Sequence, residues 1–214
     1  MDLRELELPG VFLQGAELRR CNLNLANLRN ANLTHAFLEE ANLTKASLWG
    51  ANLSNATLWG ANLTDARLRR ANLTDARAQK ANLTNVNLTD ANLTGADLNI
   101  ANFTNAHLIN ANLTDAILWG DLSDEQRKKA RAYYEQTSPE DFDSKTALKK
   151  LNAANFSHAN LFGAYFSNRD FAPTKAVDGM FTKAQLEQMA TKPEVLTHED
   201  VKAWLNQPEG SDRL

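Results

Sequence analysis

Cut every five residues, the stretch from Ala31 to Gly60 reads ANLTH, AFLEE, ANLTK, ASLWG, ANLSN, ATLWG. Each first slot is alanine and each third slot leucine. A helix repeats its faces every ~3.6 residues and a strand about every two, so a strict five-residue period fits neither. The chain has to turn a corner once per unit.

Outward from that stretch the phase holds without insertion from Leu8 through Leu13, Leu18 and Leu23 to Phe103, Leu108, Leu113 and Leu118. Only Ala78 puts a small residue in the large apolar slot, which predicts a void of about three methylenes there. From Ala16 on, the first slot stays small and apolar, with Cys21 and Val86 as variants of the usual alanine. Two slots in five therefore point inward. The fifth slot is rich in Gly, Asn and Asp, as at Asn30, Gly50, Asn55, Gly60, Asp65, Asp75 and Gly95. These residues tolerate positive φ, so slots four and five predict a β-turn with a left-handed second residue. Pro9-Gly10, in the same two slots, is the pair a type II turn prefers.

Units of the form Ala-Asn-Leu-Thr-x resemble those of the pentapeptide-repeat family, which read roughly Ala-(Asp/Asn)-Leu-x-x. The resemblance implies an all-β solenoid: a right-handed quadrilateral β-helix with four units per coil and a shaft filled by leucine and alanine. It covers residues 1–120 and resumes over 152–173.

Composition limits the function classes. The 214 residues carry a net charge of −3, which gives no bulk affinity for nucleic acid or membrane. A single cysteine, in an inward slot, excludes a disulfide framework. No apolar run approaches the roughly 20 residues of a membrane span, and the first residues do not read as a signal peptide. Asn-Leu-Thr triplets such as Asn32-Leu33-Thr34 match the N-glycosylation pattern, but they arise from the repeat itself. A bacterial-type cytoplasmic protein is the simpler expectation.

A second period lies over the first. Nearly fixed units (Leu33, Leu43, Leu53, Leu63 and onward) alternate with variable ones (Leu38, Leu48, Leu58, Leu68 and onward). With four units per coil, the prism gains two uniform walls and two variable ones. The uniform walls stack Asn on Asn, as at Asn42, Asn62, Asn82 and Asn102, about 4.8 Å apart in ladders that satisfy one another's amides.

One variable wall carries the column Arg29, Trp49, Arg69, Thr89, Ile109, beside Arg67 and Arg70. Trp49 is expected between two guanidinium rungs, where cation–π stacking can form. The other carries Arg19 and Arg20, Phe37 with Glu39 and Glu40, Trp59, Arg77 with Gln79 and Lys80, then Ile117 and Trp119. Trp and Arg are enriched at interaction hot spots, which makes Trp49, Trp59, Arg67, Arg69 and Arg70 the candidate partner surface. The alternative is that a solenoid wall exposes scattered aromatics, with Arg29, Glu39 and Glu40 keeping them soluble.

The phase breaks after Gly120. Ser123-Asp124-Glu125-Gln126 is a capping box opening a helix, and Ser138-Pro139 opens a second, so residues 121–151 read as an α-helical hairpin insertion. Residues 152–173 read as a final coil in which phenylalanine replaces most leucines and widens the shaft. Residues 174–214 read as helical, with Thr182 capping Lys183 to Met189 and Thr197 capping His198 to Asn206. Val201, Trp204 and Leu205 form an apolar stripe there. This tail is expected to cap the open end of the β-helix. The competing reading is a partner-binding or homodimerising helical pair.

Histidines stand singly at 35, 107, 158 and 198, with no metal-ligand spacing and no phosphate-binding loop. Asp65, Asp75 and Asp115 occupy turn slots. No enzyme activity, metal or cofactor is expected. The leading reading is a protein-interaction scaffold offering a rigid wall to a protein partner of unknown identity. The alternative, suggested by the family resemblance alone, is a DNA-mimicking modulator of DNA gyrase like the fluoroquinolone-resistance members. Charge opposes it: residues 1–120 hold 11 Asp and Glu against 10 Lys and Arg, whereas a phosphate mimic needs a strongly acidic face.

Overall fold

A computed structural model describes residues 1–119, 123–136, 154–156, 159–161, 164, 176–177, 180–189 and 195–206. Each unit is one short side and one turn. The turn closes when the first-slot amide of the next unit donates to the preceding leucine carbonyl, as from Ala31 N to Leu28 O at 3.1 Å. The fifth-slot residue supplies the left-handed corner, with φ from 54° at Asp75 to 68° at Gly10. At Gly50 the corner is tight, because a Cβ would stand 2.4 Å from Asn30 Oδ1 and the Asn30 side chain would have to shift.

Sides stack with a 20-residue offset. Asn32 pairs in parallel with Asn52, and Asn52 with Asn72, while Ser47 pairs with Arg67 and Thr57 with Arg77. Each side contributes a single bridging residue, too short for a conventional strand, yet coil after coil repeats it. The result is a right-handed quadrilateral β-helix. Leucine and alanine fill its shaft: Leu23 to Leu118 and the alanines between them are essentially inaccessible to water. Each such leucine contributes about 1.5–3 kcal/mol of burial. Among the described residues only the first coil departs, leaving Leu3, Leu8 and Leu13 half-buried.

The Asn ladders form, with a local component that the sequence reading lacked. Asn32 Oδ1 accepts from both the Thr34 amide (3.1 Å) and the Thr34 hydroxyl (2.6 Å), and Asn42, Asn62, Asn72 and Asn82 repeat this with their own threonines. Asn two residues before Thr thus makes a small closed ring in each of these units. Between coils the freed amide donates either to the Asn below, as Asn72 to Asn52 at 3.2 Å, or to the Thr, as Asn92 to Thr74 at 3.0 Å.

After Trp119 the chain leaves the prism. Helix α1 (Asp124–Gln136) starts at the capping box, where Gln126 N donates to Ser123 Oγ and Ser123 N to Gln126 Oε1. The expected second helix of the insertion lies outside the described residues. Repeats then resume in spatial register: Asn155 pairs with Asn102 and Asn160 with His107. In sequence these pairs span 53 positions instead of 20, so 33 residues have been inserted without moving the stack. The third and fourth units of that coil lie largely outside the described residues.

Four further elements carry the C-terminal part. Helix α2 (Lys183–Gln188) has the expected Thr182 N-cap, and helix α3 (His198–Leu205) starts at Thr197, whose Oγ1 accepts from the Asp200 amide. Two strands absent from the sequence reading, β1 (Ala176–Val177) and β2 (Val195–Leu196), pair in parallel. At two residues each they leave no periodic signature. Gln185 of α2, almost fully buried, donates its amide to the carbonyls of Phe156 (2.9 Å) and Ala159 (3.0 Å). The Phe181 ring sits 4.9 Å from that of Phe156. Two edge carbonyls and the phenylalanine of the last coil are thereby covered. Arg131 of α1 donates to the Leu205 carbonyl from Nη2 (2.6 Å) and Nε (3.1 Å), tying α1 to the C-terminus of α3. Among the described residues no helix is long and apolar enough to cross a membrane.

Candidate partner-binding groove

On the wall that runs Asn27, Ser47, Arg67, Asn87, His107, small side chains at Ser47 and Asn87 leave a dip, and corner residues raise its two rims. One rim is the fourth-slot column of Arg29, Trp49 and Arg69. The other comes from the preceding corner, where Asn85 Nδ2 donates to Asp65 Oδ1 at 2.9 Å. Between them lies a groove of about 480 Å³ with Arg67 and His107 on its floor. The β-helix beneath fixes every one of these backbone positions, so the groove's backbone needs no ordering on binding.

The structure sorts the five sequence candidates. Trp49, Arg67 and Arg69 line one groove. Arg70 sits on the adjoining corner with its Nε 3.7 Å from Asp90. Trp59 lies on the opposite variable wall, ten residues and half a coil away, 40% exposed with Lys80 Nζ 4.8 Å above its ring.

The expectation that Trp49 lies between two guanidinium rungs holds on one side. Arg29 stands over the indole at 5.3 Å from the ring centroid, but Arg69 turns to Asp90 with its Nε at 3.5 Å. A carboxylate outcompetes the second aromatic face. Trp119 also departs from the sequence reading, which set it among outward residues: it is fully buried.

On the opposite wall the basic and acidic bands pair with each other across one coil. Arg19 Nε reaches Glu39 at 3.1 Å and lies over the Phe37 ring, and Arg20 Nε reaches Glu40 at 2.8 Å. The hydrogen bond to the Glu40 carboxylate, reinforced by its charge, raises the Arg20 guanidinium above its ordinary pKa. Arg29 and Arg67 differ. Neither has a carboxylate partner among the described residues, and both face the groove.

Arg29, Asp65, Asn85 and His107 were not among the sequence candidates. A signal was present: once the coil length is 20, residues 18 to 20 apart share a neighbourhood, which brings Asp65 and Asn85 beside Arg67. No group of three or more His, Cys, Asp or Glu among the described residues could hold a metal ion.

The sequence model of the pentapeptide repeats matches residues 2–34, 21–60, 51–90 and 81–120. This chain belongs to the pentapeptide repeat family. Solved pentapeptide repeat structures similar to it include HetL, involved in heterocyst differentiation regulation in the cyanobacterium Nostoc sp. strain PCC 7120, at 29% identity. That match covers 77% of this chain and 73% of HetL with a TM-score of 0.44. A pentapeptide repeat protein of the Arabidopsis thaliana thylakoid lumen is 31% identical, over 61% of this chain and 77% of its own, with a TM-score of 0.44. QnrB1, a plasmid-mediated fluoroquinolone resistance protein, is 15% identical over 90% of this chain and 89% of its own, with a TM-score of 0.41. No curated protein matches this pentapeptide repeat chain.

Proposed function

We propose that this pentapeptide repeat chain is a non-enzymatic protein-interaction scaffold that receives a partner in the Trp49 groove. The observation that carries the reading is the convergence there of a half-buried tryptophan with Arg29 and Arg67, two guanidiniums that no described carboxylate neutralises. Aromatic and arginine side chains on a rigid concave surface are what binding energy concentrates on. A DNA-mimic role toward gyrase calls for an acidic face, and an arginine-lined wall favours the scaffold instead. The reading places the chain in the cytoplasm, where the buried free thiol of Cys21 stays reduced.

The test is a pull-down with the full chain against its Trp49→Ala, Arg69→Ala double variant. Loss of a captured protein supports the scaffold; a capture profile identical to wild type rejects it. A supercoiling assay with purified gyrase separates the alternative.

A further inference from the structure

Resting on the scaffold reading, we propose that the Trp49 groove takes an acidic peptide segment in polyproline II conformation, with carboxylates three residues apart. The argument starts from charge. Arg29 and Arg67 are the groove's two guanidiniums without a described acidic partner, whereas Arg69 already engages Asp90. Leaving two cations uncompensated beside an indole costs solubility nothing, and it leaves them ready for carboxylates that arrive with a partner.

Spacing then selects the conformation. Arg67 shares a rung with Arg69, and the column Arg29, Trp49, Arg69 climbs one coil at a time. The backbone positions of Arg29 and Arg67 are thus two rungs apart, about 9.6 Å along the prism axis at ~4.8 Å per rung, and their side chains reach into the groove from there. A polyproline II helix presents every third residue on one face, roughly 9.3 Å apart. An extended strand shows same-face residues at about 6.6 Å or 13 Å, which match poorly. Trp49, on the intervening rung, carries Arg29 over one face of its ring and leaves the face that Arg69 turns away from for a polyproline II ridge to pack against.

Asp65 on the far rim argues for a peptide over a nucleic acid. A continuous phosphate chain would meet that carboxylate, while a peptide can set its few charges against Arg29 and Arg67 and keep them from Asp65.

The probe is a fluorescein-labelled peptide with the core Glu-Pro-Pro-Glu-Pro-Pro-Glu, titrated with the full chain by anisotropy. Saturable binding that weakens about tenfold or more in Arg67→Ala is expected, from loss of a charge-assisted contact. Arg77→Ala, on the opposite wall and likewise without a described carboxylate partner, should leave binding unchanged. The Gln-for-Glu peptide should not bind, and a Glu-Pro-Glu-Pro-Glu core should bind more weakly. Equal binding of the Gln peptide, equal weakening by Arg77→Ala, or tighter groove-dependent binding of a single-stranded oligonucleotide overturns the proposal. Groove-dependent binding of a basic or apolar peptide also overturns it and leaves the scaffold reading standing. The scaffold reading fails separately, if capture of protein partners is indifferent to Trp49.

Discussion

Phe156 stacks on Phe103 with ring centroids 4.8 Å apart and planes within 3° of parallel, although 53 residues separate them. The two occupy successive floors of one inward column, so the resumed coil is locked to the first run by aromatic overlap as well as by the Asn102–Asn155 pairing.

Phe156→Ala should therefore release the last coil. A cost of about 3–5 kcal/mol is expected for a fully buried phenylalanine. In a stacked architecture the loss is local, so the measurement is native-state hydrogen exchange. The amides of Asn155 and Asn160 should exchange much faster while those of the middle coils do not. Unchanged protection at Asn155 would sink the idea that the stack holds the junction.

Gly50→Ala should destabilise by ~1–3 kcal/mol, since the new Cβ meets Asn30 Oδ1 and the corner has φ 66°. Adding Asn30→Ala removes the contact and leaves only the backbone term. A thermal melt of the double variant that recovers part of the loss supports this division. Two strictly additive losses would contradict it.

Ile100 occupies a corner at φ 60° with a β-branched, 40% exposed side chain. Left-handed backbone is costly for such a residue and free for glycine. Ile100→Gly should raise stability by about 1 kcal/mol in chemical denaturation. A decrease would mean that the side chain packs more than its exposure indicates.

Ala78 stands between Leu58 and Leu98 in one inward column, fully buried. Ala78→Leu should leave the melting temperature unchanged or raise it. A clear drop would show that Val86 and its neighbours already fill the space.

The shaft, the corners and the two-wall alternation were legible because each depends only on slot within a five-residue unit, and a period repeated over more than a hundred residues averages out exceptions. The Asn–Thr ring was in principle legible, being a contact between residues two apart, but it hides behind the equally good explanation of a ladder. Pairings such as Arg20 with Glu40 follow once the coil length is known. The lid contacts do not: Gln185 reaches the Phe156 and Ala159 carbonyls through a fold-back that no local pattern encodes. Trp119 misled for a similar reason, since nothing in its slot or in its neighbours along the chain marks it for burial. In the groove, the arginine rim could be read from the sequence, and which arginines were already neutralised could not.

The corner after Trp119 admits 33 residues while the rungs on either side stay paired. Such a corner is a splice point: the solenoid registers what stacks on it and is indifferent to how long the chain took to return. Length is then a free variable in two ways. Whole coils can be gained or lost in steps of twenty residues without altering the cross-section, and a foreign domain grafted at this corner would ride on the prism without unzipping it.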